Sequence, residues 1–160
     1  MGEFPDGVCF SASLPLRWQA APLQSAFEAG RYFEVLSAFE QAEEPDPEHA
    51  RLDLQLLWLA RLLNPSLPTP QAVRVGIEHV EWWAEQPPQP ASGWLAVSFS
   101  DTLPYLVSLP LVLQDSVAEQ GGWRCRGSWA LTDEALRIAF ERLVFRRHRE
   151  QIRRQHKQES

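Results

Sequence analysis

Cysteine is nearly absent from this chain, with Cys9 and Cys125 the only two in 160 residues. They have no metal-type spacing and are expected to stay reduced in a cytoplasm. Long apolar runs are also missing. The run at 109–113 falls far short of the about 18 residues of a membrane span. The opening "MGEFPDGVCFSASLPLRW" has no basic stretch followed by an apolar one, so it does not read as a secretory signal. It also lacks the Ser or Thr that myristoylation expects at the sixth position. No GxxxxGK[ST], GxGxxG or GxSxG occurs, which removes the usual phosphate cradles and the nucleophile elbow. His49, His79, His148 and His156 never pair at three or four residues along a helix, so no metal site is expected. No catalytic, cofactor or metal residues are therefore assigned.

What is present fits one folded domain spanning 1–160. Hydrophobic residues make up 44% and charged residues 22% of the chain, enough for one sizeable core and short for two. The net charge of −6 and the pI near 5.2 argue against a general nucleic-acid binder. Charge is unevenly spread. Residues 137–160 hold eight Arg or Lys against three Asp or Glu, whereas the preceding 136 hold seven against eighteen. A basic tail on an acidic body points to an anionic partner, an acidic neighbouring subunit or a solvated helix end.

Thirteen prolines punctuate short elements. "SLPLRWQ" reads as an extended segment over about 12–18, with Leu14, Leu16 and Trp18 on one face. A helical period follows over 23–44, in the stripes Ala26/Ala29/Phe33/Leu36 and Tyr32/Val35/Phe39/Ala42. Gly30 weakens this helix by about 1 kcal/mol relative to Ala, so packing must hold it. A second helix restarts with Asp46 as N-cap and Pro47 at the first helical position. Leu52, Leu56, Leu59 and Leu63 recur at spacings of four, three and four, and Leu54, Leu57, Trp58 and Leu62 carry apolar surface almost round the helix. Such a helix must be buried on more than one side, by the rest of the chain or by another copy of it. The seam is shorter than two heptads, so the helix over 23–44 must share the interface. Phe33, Leu36, Leu52, Leu56, Leu59 and Leu63 are the expected interface residues.

From about 72 to 131 the pattern becomes strand-like. "AVRVGIEHVEWW" and "GWLAVSFS" alternate, "LPYLVSLPLVLQD" reads as a strand broken at Pro110, and "GGWRCRGSWALT" begins after a glycine turn. Strands so spaced and joined by short loops imply a small antiparallel barrel. Trp82, Trp83, Trp94, Trp123 and Trp129 read as barrel filling and contacts, and Cys125 as a core residue. A final helix over about 133–155 is capped by Thr132 or Asp133. The fold class is α+β.

"SLPLRW", "ARLDLQLLWLARLL" and "ERLVFRRHREQI", in that order and with a strand-rich block between the last two, resemble the atypical, tetramer-forming PilZ domains of bacteria over about residues 12–155. The resemblance implies a barrel of six strands, two additional long helices that bundle four subunits, and a role in cyclic di-GMP signalling, in motility, pili, biofilm or virulence. Ordinary PilZ domains bind cyclic di-GMP with an RxxxR loop and a [D/N]xSxxG turn. Guanidinium forks there pair with phosphates and guanine edges, and the glycine admits close backbone approach. Here Arg74, Gly76 and His79 stand where Asp or Asn, Ser and Gly are needed, and no RxxxR precedes the barrel. The resemblance thus implies a cytoplasmic, non-enzymatic adaptor whose partners are its own copies and a further protein, with cyclic di-GMP doubtful and neither nucleic acid nor membrane insertion involved. An enzyme acting on cyclic nucleotides finds no metal or general-base constellation.

The alternative is a cyclic di-GMP receptor that uses Arg142, Arg146, Arg149 and Arg153, one stripe along the last helix. Leu136, Phe140 and Leu143 face elsewhere and are expected to dock on the barrel. Beyond Val144 that buried direction continues as Arg147, Gln151 and Arg154, so residues 146–160 are expected to project from the domain. A solvated cationic end, docking on acidic surface such as "EQAEEPDPE" of the same or a neighbouring chain, and binding a phosphate-bearing nucleotide all remain open for this tail.

Overall fold

The computed structural model describes residues 7–41, 47–64 and 66–159. Asp46, Ala42 and most of the acidic stretch after Glu40 lie outside the described residues. The elements run β1 (Cys9–Gln19), α1 (Ala26–Glu40), α2 (Pro47–Leu63), β2 (Pro70–Gly76), β3 (His79–Ala84), β4 (Ser92–Ser98), β5 (Leu106–Glu119), β6 (Gly122–Trp129) and α3 (Glu134–Glu159). Six antiparallel strands close into a barrel in the order β1-β2-β3-β6-β5-β4.

The alternating residues turn inward. Val73, Val75, Leu95, Val97, Leu109, Leu111 and Cys125 are all buried. "AVRVGIEHVEWW" divides at Ile77 and Glu78 into β2 and β3, which supplies the sixth strand. Of the tryptophans, Trp82 alone is fully buried, stacked on Trp18 with centroids 6.0 Å apart. Pro110 does not break its strand, because its carbonyl accepts a hydrogen bond from Ala130 N, just past the end of β6. The missing N–H points to that same side, beyond the last β5–β6 ladder pair, Leu111 with Trp129. The β5–β6 hairpin turns at Gly121, whose φ of 81° is open to glycine with little penalty.

The first helix starts later than the apolar period implies. Ser25 is its N-cap, its hydroxyl accepting from Glu28 N at 3.2 Å. Just before it, Gln24 Oε1 accepts from Ser108 N at 2.9 Å, and Gln24 Nε2 donates to the Leu106 carbonyl, fixing the entry of α1 on β5. α1 and α3 then pack against each other and the barrel. Phe33 sits between Phe99 and Phe140, with centroids 5.5 and 5.9 Å away, and Trp129 meets Phe140 edge-on. Leu136, Phe140, Leu143 and Val144 are buried.

Gly30 faces the α3 backbone at this crossing. A Cβ there would lie 3.5 Å from Leu136 Cα, an ordinary contact. Gly30→Ala is therefore expected to stabilise the protein by about 0.5–1 kcal/mol through backbone entropy. A rise in the urea midpoint at unchanged m-value is the check, and a fall would mean that the crossing cannot accept a methyl group.

Candidate functional site

Arg74, Gly76 and His79, the positions expected to stand in place of the nucleotide motif, lie on the β2–β3 hairpin. Arg74 is in register with Glu81, Glu81 with Arg126, and Arg126 with Asp115, so charge alternates in sign across four strands of the outer wall. Arg126 Nη2 donates to Glu81 Oε2 at 2.9 Å, with both side chains largely buried. Arg74 thus joins a cross-strand ladder instead of supplying a carboxylate or amide to a ligand. The Gly76 carbonyl accepts from Trp129 Nε1 at 3.1 Å, and the Glu78 carbonyl from Trp129 N, which ties the hairpin to the end of β6. The cleft beside His79, about 490 Å³, is completed by Glu78, Arg137 and Glu141, with Arg137 paired to Glu141 at 3.1 Å. Two carboxylates and one engaged guanidinium suit a dianionic ligand poorly.

The arginine stripe of α3 separates on folding. Arg142, Arg149 and Arg153 are exposed, whereas Arg146 is 7% exposed. Arg146 donates through Nε and Nη2 to Glu40 Oε2 at 3.2 and 2.8 Å, and through Nη1 to Ser37 Oγ. Arg147 donates to Glu40 Oε1 at 2.6 Å and to the Phe99 carbonyl at 2.8 Å. Further along, His148 Nδ1 donates to the Cys9 carbonyl at 2.7 Å. Gln151 exchanges two hydrogen bonds with the backbone of Ser11. The expectation that the helix leaves the domain at residue 146 is therefore corrected. Apolar anchoring ends at Val144, but polar anchoring continues along the same face to Gln151. Arg146 is committed to Glu40, inside the acidic stretch, and is not available to a ligand on the exposed stripe.

The expected interface residues also separate. Phe33 and Leu36 are 2% and 0% exposed within their own chain, so their assignment to an interface is corrected. The α1 stripe that they define is consumed by the barrel and α3. Its exposed apolar residues are instead Phe27 and Val35. On α2, Leu56, Leu57 and Ala60 pack partly against the core. Leu52, Leu59, Leu62, Leu63 and Trp58 are between 51% and 75% exposed. A nearly wholly apolar groove of about 240 Å³ runs between the helices, floored by Tyr32, Val35, Leu59, Leu63 and Tyr105. Tyr32 is held by a 2.8 Å bond to the Leu103 carbonyl and by stacking on Tyr105 at 4.7 Å, and burial raises its pKa.

Among the described residues, no group of three His, Cys, Asp or Glu could hold a metal, and no helix is long and apolar enough to cross a membrane. The Cys125 thiol is pushed up to about 11 by burial, then by Asp115, and is no nucleophile near neutrality.

A closed six-stranded barrel with two helices inserted after its first strand and a long helix after its last defines a PilZ-type domain with helical additions. The chain belongs to the family described as "Atypical PilZ domain, cyclic di-GMP receptor", which matches residues 40–157. It is also similar to the crystal structure of a pathogenic protein from Xanthomonas campestris, described as a new tetrameric PilZ domain self-assembled via an unusual helical bundle. That likeness has a TM-score of 0.79 at 25% identity, over 93% of this chain and 92% of the other. No curated protein matches the sequence.

Glu40 opens the acidic stretch that the sequence offered as one docking surface for the tail, whereas the other polar partners of α3, namely Cys9, Ser11, Ser37 and Phe99, are absent from the sequence-based assignment. A signal for them existed, since Arg147 and Gln151 continue the buried direction of Phe140 and Leu143.

Proposed function

We propose that this protein is a cytoplasmic, non-catalytic adaptor of cyclic di-GMP-linked signalling that self-associates through α2 and has given up the usual nucleotide site. The observation that carries this reading is the apolar surface of α2, where five large side chains are at least half exposed beside an apolar groove. Soluble monomers rarely leave such a patch open. The Xanthomonas campestris neighbour, described as tetrameric through a helical bundle, supports four copies as the assembly. A further protein partner would receive the signal.

Loss of the nucleotide site is tested by calorimetry with cyclic di-GMP. With Arg74 in a charge ladder and carboxylates beside His79, binding no tighter than about 100 µM, roughly 5.5 kcal/mol, is expected. A micromolar isotherm at physiological salt would overturn this. The family's description as a receptor favours a second reading, in which the exposed Arg142, Arg149 and Arg153 hold the nucleotide. Micromolar binding abolished by Arg149→Ala and unaffected by Arg74→Ala would select it.

A further inference from the structure

α3 carries a second organised face, directed away from the barrel. Ile138, Phe145 and Ile152 are 37%, 41% and 38% exposed and stand seven residues apart. Arg142 and Arg149 lie between them at alternating steps of four and three, and Arg153 borders the row. At 100° per residue these positions centre on the side of the helix opposite Leu136, Phe140 and Leu143, which are buried. The result is a heptad seam with Ile, Phe and Ile at one core position and arginine at the other, about 21 Å long from Ile138 to Ile152. Neither anchoring of α3 nor the α2 surface uses it.

We propose that this seam docks an acidic amphipathic helix of a different protein. Four arguments select that occupant. Apolar residues repeating every seventh position fit the knobs of a facing helix, whereas a phosphate backbone has no use for them. Two copies of this seam packed together would crowd both sets of Arg142, Arg149 and Arg153 into one interface, which disfavours self-pairing. Glu or Asp flanking a partner's apolar stripe would meet those guanidiniums with complementary charge. The acidic body, with eighteen Asp or Glu against seven Arg or Lys, would be repelled by an anionic bilayer. The seam thus gives the adaptor a receiving surface separate from its assembly surface.

The test uses the full chain and a labelled synthetic peptide of about three heptads, with Leu at its seam positions and Glu on both flanks. A control peptide carries Lys in place of Glu. Fluorescence anisotropy should show saturable binding of the Glu peptide that weakens with salt and is at least about tenfold tighter than binding of the Lys peptide. Phe145→Ser, and separately Arg142→Glu with Arg149→Glu, should each weaken it by at least about tenfold, since one removes the central knob and the other reverses the charge. These side chains are exposed, so the variants should melt with the parent, and either variant alone suffices if the other fails to fold. Equal binding of both peptides, or parent-like binding by a folded Phe145→Ser variant, would overturn the proposal. So would Phe145-dependent binding to phosphatidylglycerol vesicles without binding of the Glu peptide. A drop in the assembly's mass on Phe145→Ser would also refute it, because a second copy would then be the occupant.

Discussion

Ending the chain after Phe145 is expected to cost about 3 kcal/mol of stability and to lower Tm by roughly 6–12 °C, given ~2–4 °C per kcal/mol for a domain of this size. The apolar face of α3 survives this cut, so the loss comes from polar anchors. Arg146 makes three hydrogen bonds, two of them to the Glu40 carboxylate, in a site where its own side chain is 9% exposed. Hydrogen bonds to charged groups contribute about 1.5–3 kcal/mol when desolvated. Removal of one ion from a buried pair leaves the other uncompensated. The Glu40 side chain is 23% exposed, so solvent screens part of that penalty. Truncation removes Arg147 as well, so Glu40 loses both partners, and Ser11 loses Gln151. Arg146→Ala alone, with Arg147 still on Glu40, should cost about 2 kcal/mol. Arg153→Ala, at an exposed position, should stay within about 0.5 kcal/mol. A truncated protein that melts within about 2 °C of the parent would show that these contacts contribute nothing.

The larger expected effect is on assembly. Leu59→Glu combined with Leu63→Lys should convert the proposed homo-oligomer to a folded monomer. Both leucines are more than half exposed in the single chain and line the groove beside α1. An apolar strip of even 400 Å² left in water would forgo about 10 kcal/mol of transfer energy at ~25 cal/mol/Å². Two charges placed in that strip must be desolvated for the subunits to meet, which opposes association strongly. Glu at 59 and Lys at 63 stand four residues apart in the favourable order, so the helix itself is supported. Leu56 is avoided because it packs partly on its own core. An oligomer unchanged in mass would place the interface elsewhere on the molecule.

The barrel and helices were legible because their apolar periods are simple. Val73 and Val75, then Leu95, Val97 and Phe99, alternate into the interior as their spacing dictates. The start of α1 was written in "SAFE", with Ser25 as cap and Glu28 three residues on, but the apolar period before it drew the expected helix too long. What an apolar stripe cannot state is who covers it. Phe33 and Leu36 recur at a helical spacing like the leucines of α2, yet the barrel and α3 together bury the first pair and leave most of the second exposed. For the site, the sequence offered mainly an expected absence, with Arg74, Gly76 and His79 where the resemblance calls for Asp or Asn, Ser and Gly. The burial of Arg146 stayed one of three open outcomes for the tail, because the acidic stretch that begins with its partner Glu40 lies 106 residues away. An arginine within a basic run reads as solvated until a distant carboxylate is found for it. The spacing of Ile138, Phe145 and Ile152 was present in the sequence but masked by the arginines between them.

Light scattering of the wild-type chain at micromolar concentration tests the central claim most directly, because self-association through α2 rests on surface that a lone subunit leaves in water. The account predicts a mass near four times the 18.3 kDa of one chain. A stable mass of 18.3 kDa would contradict it.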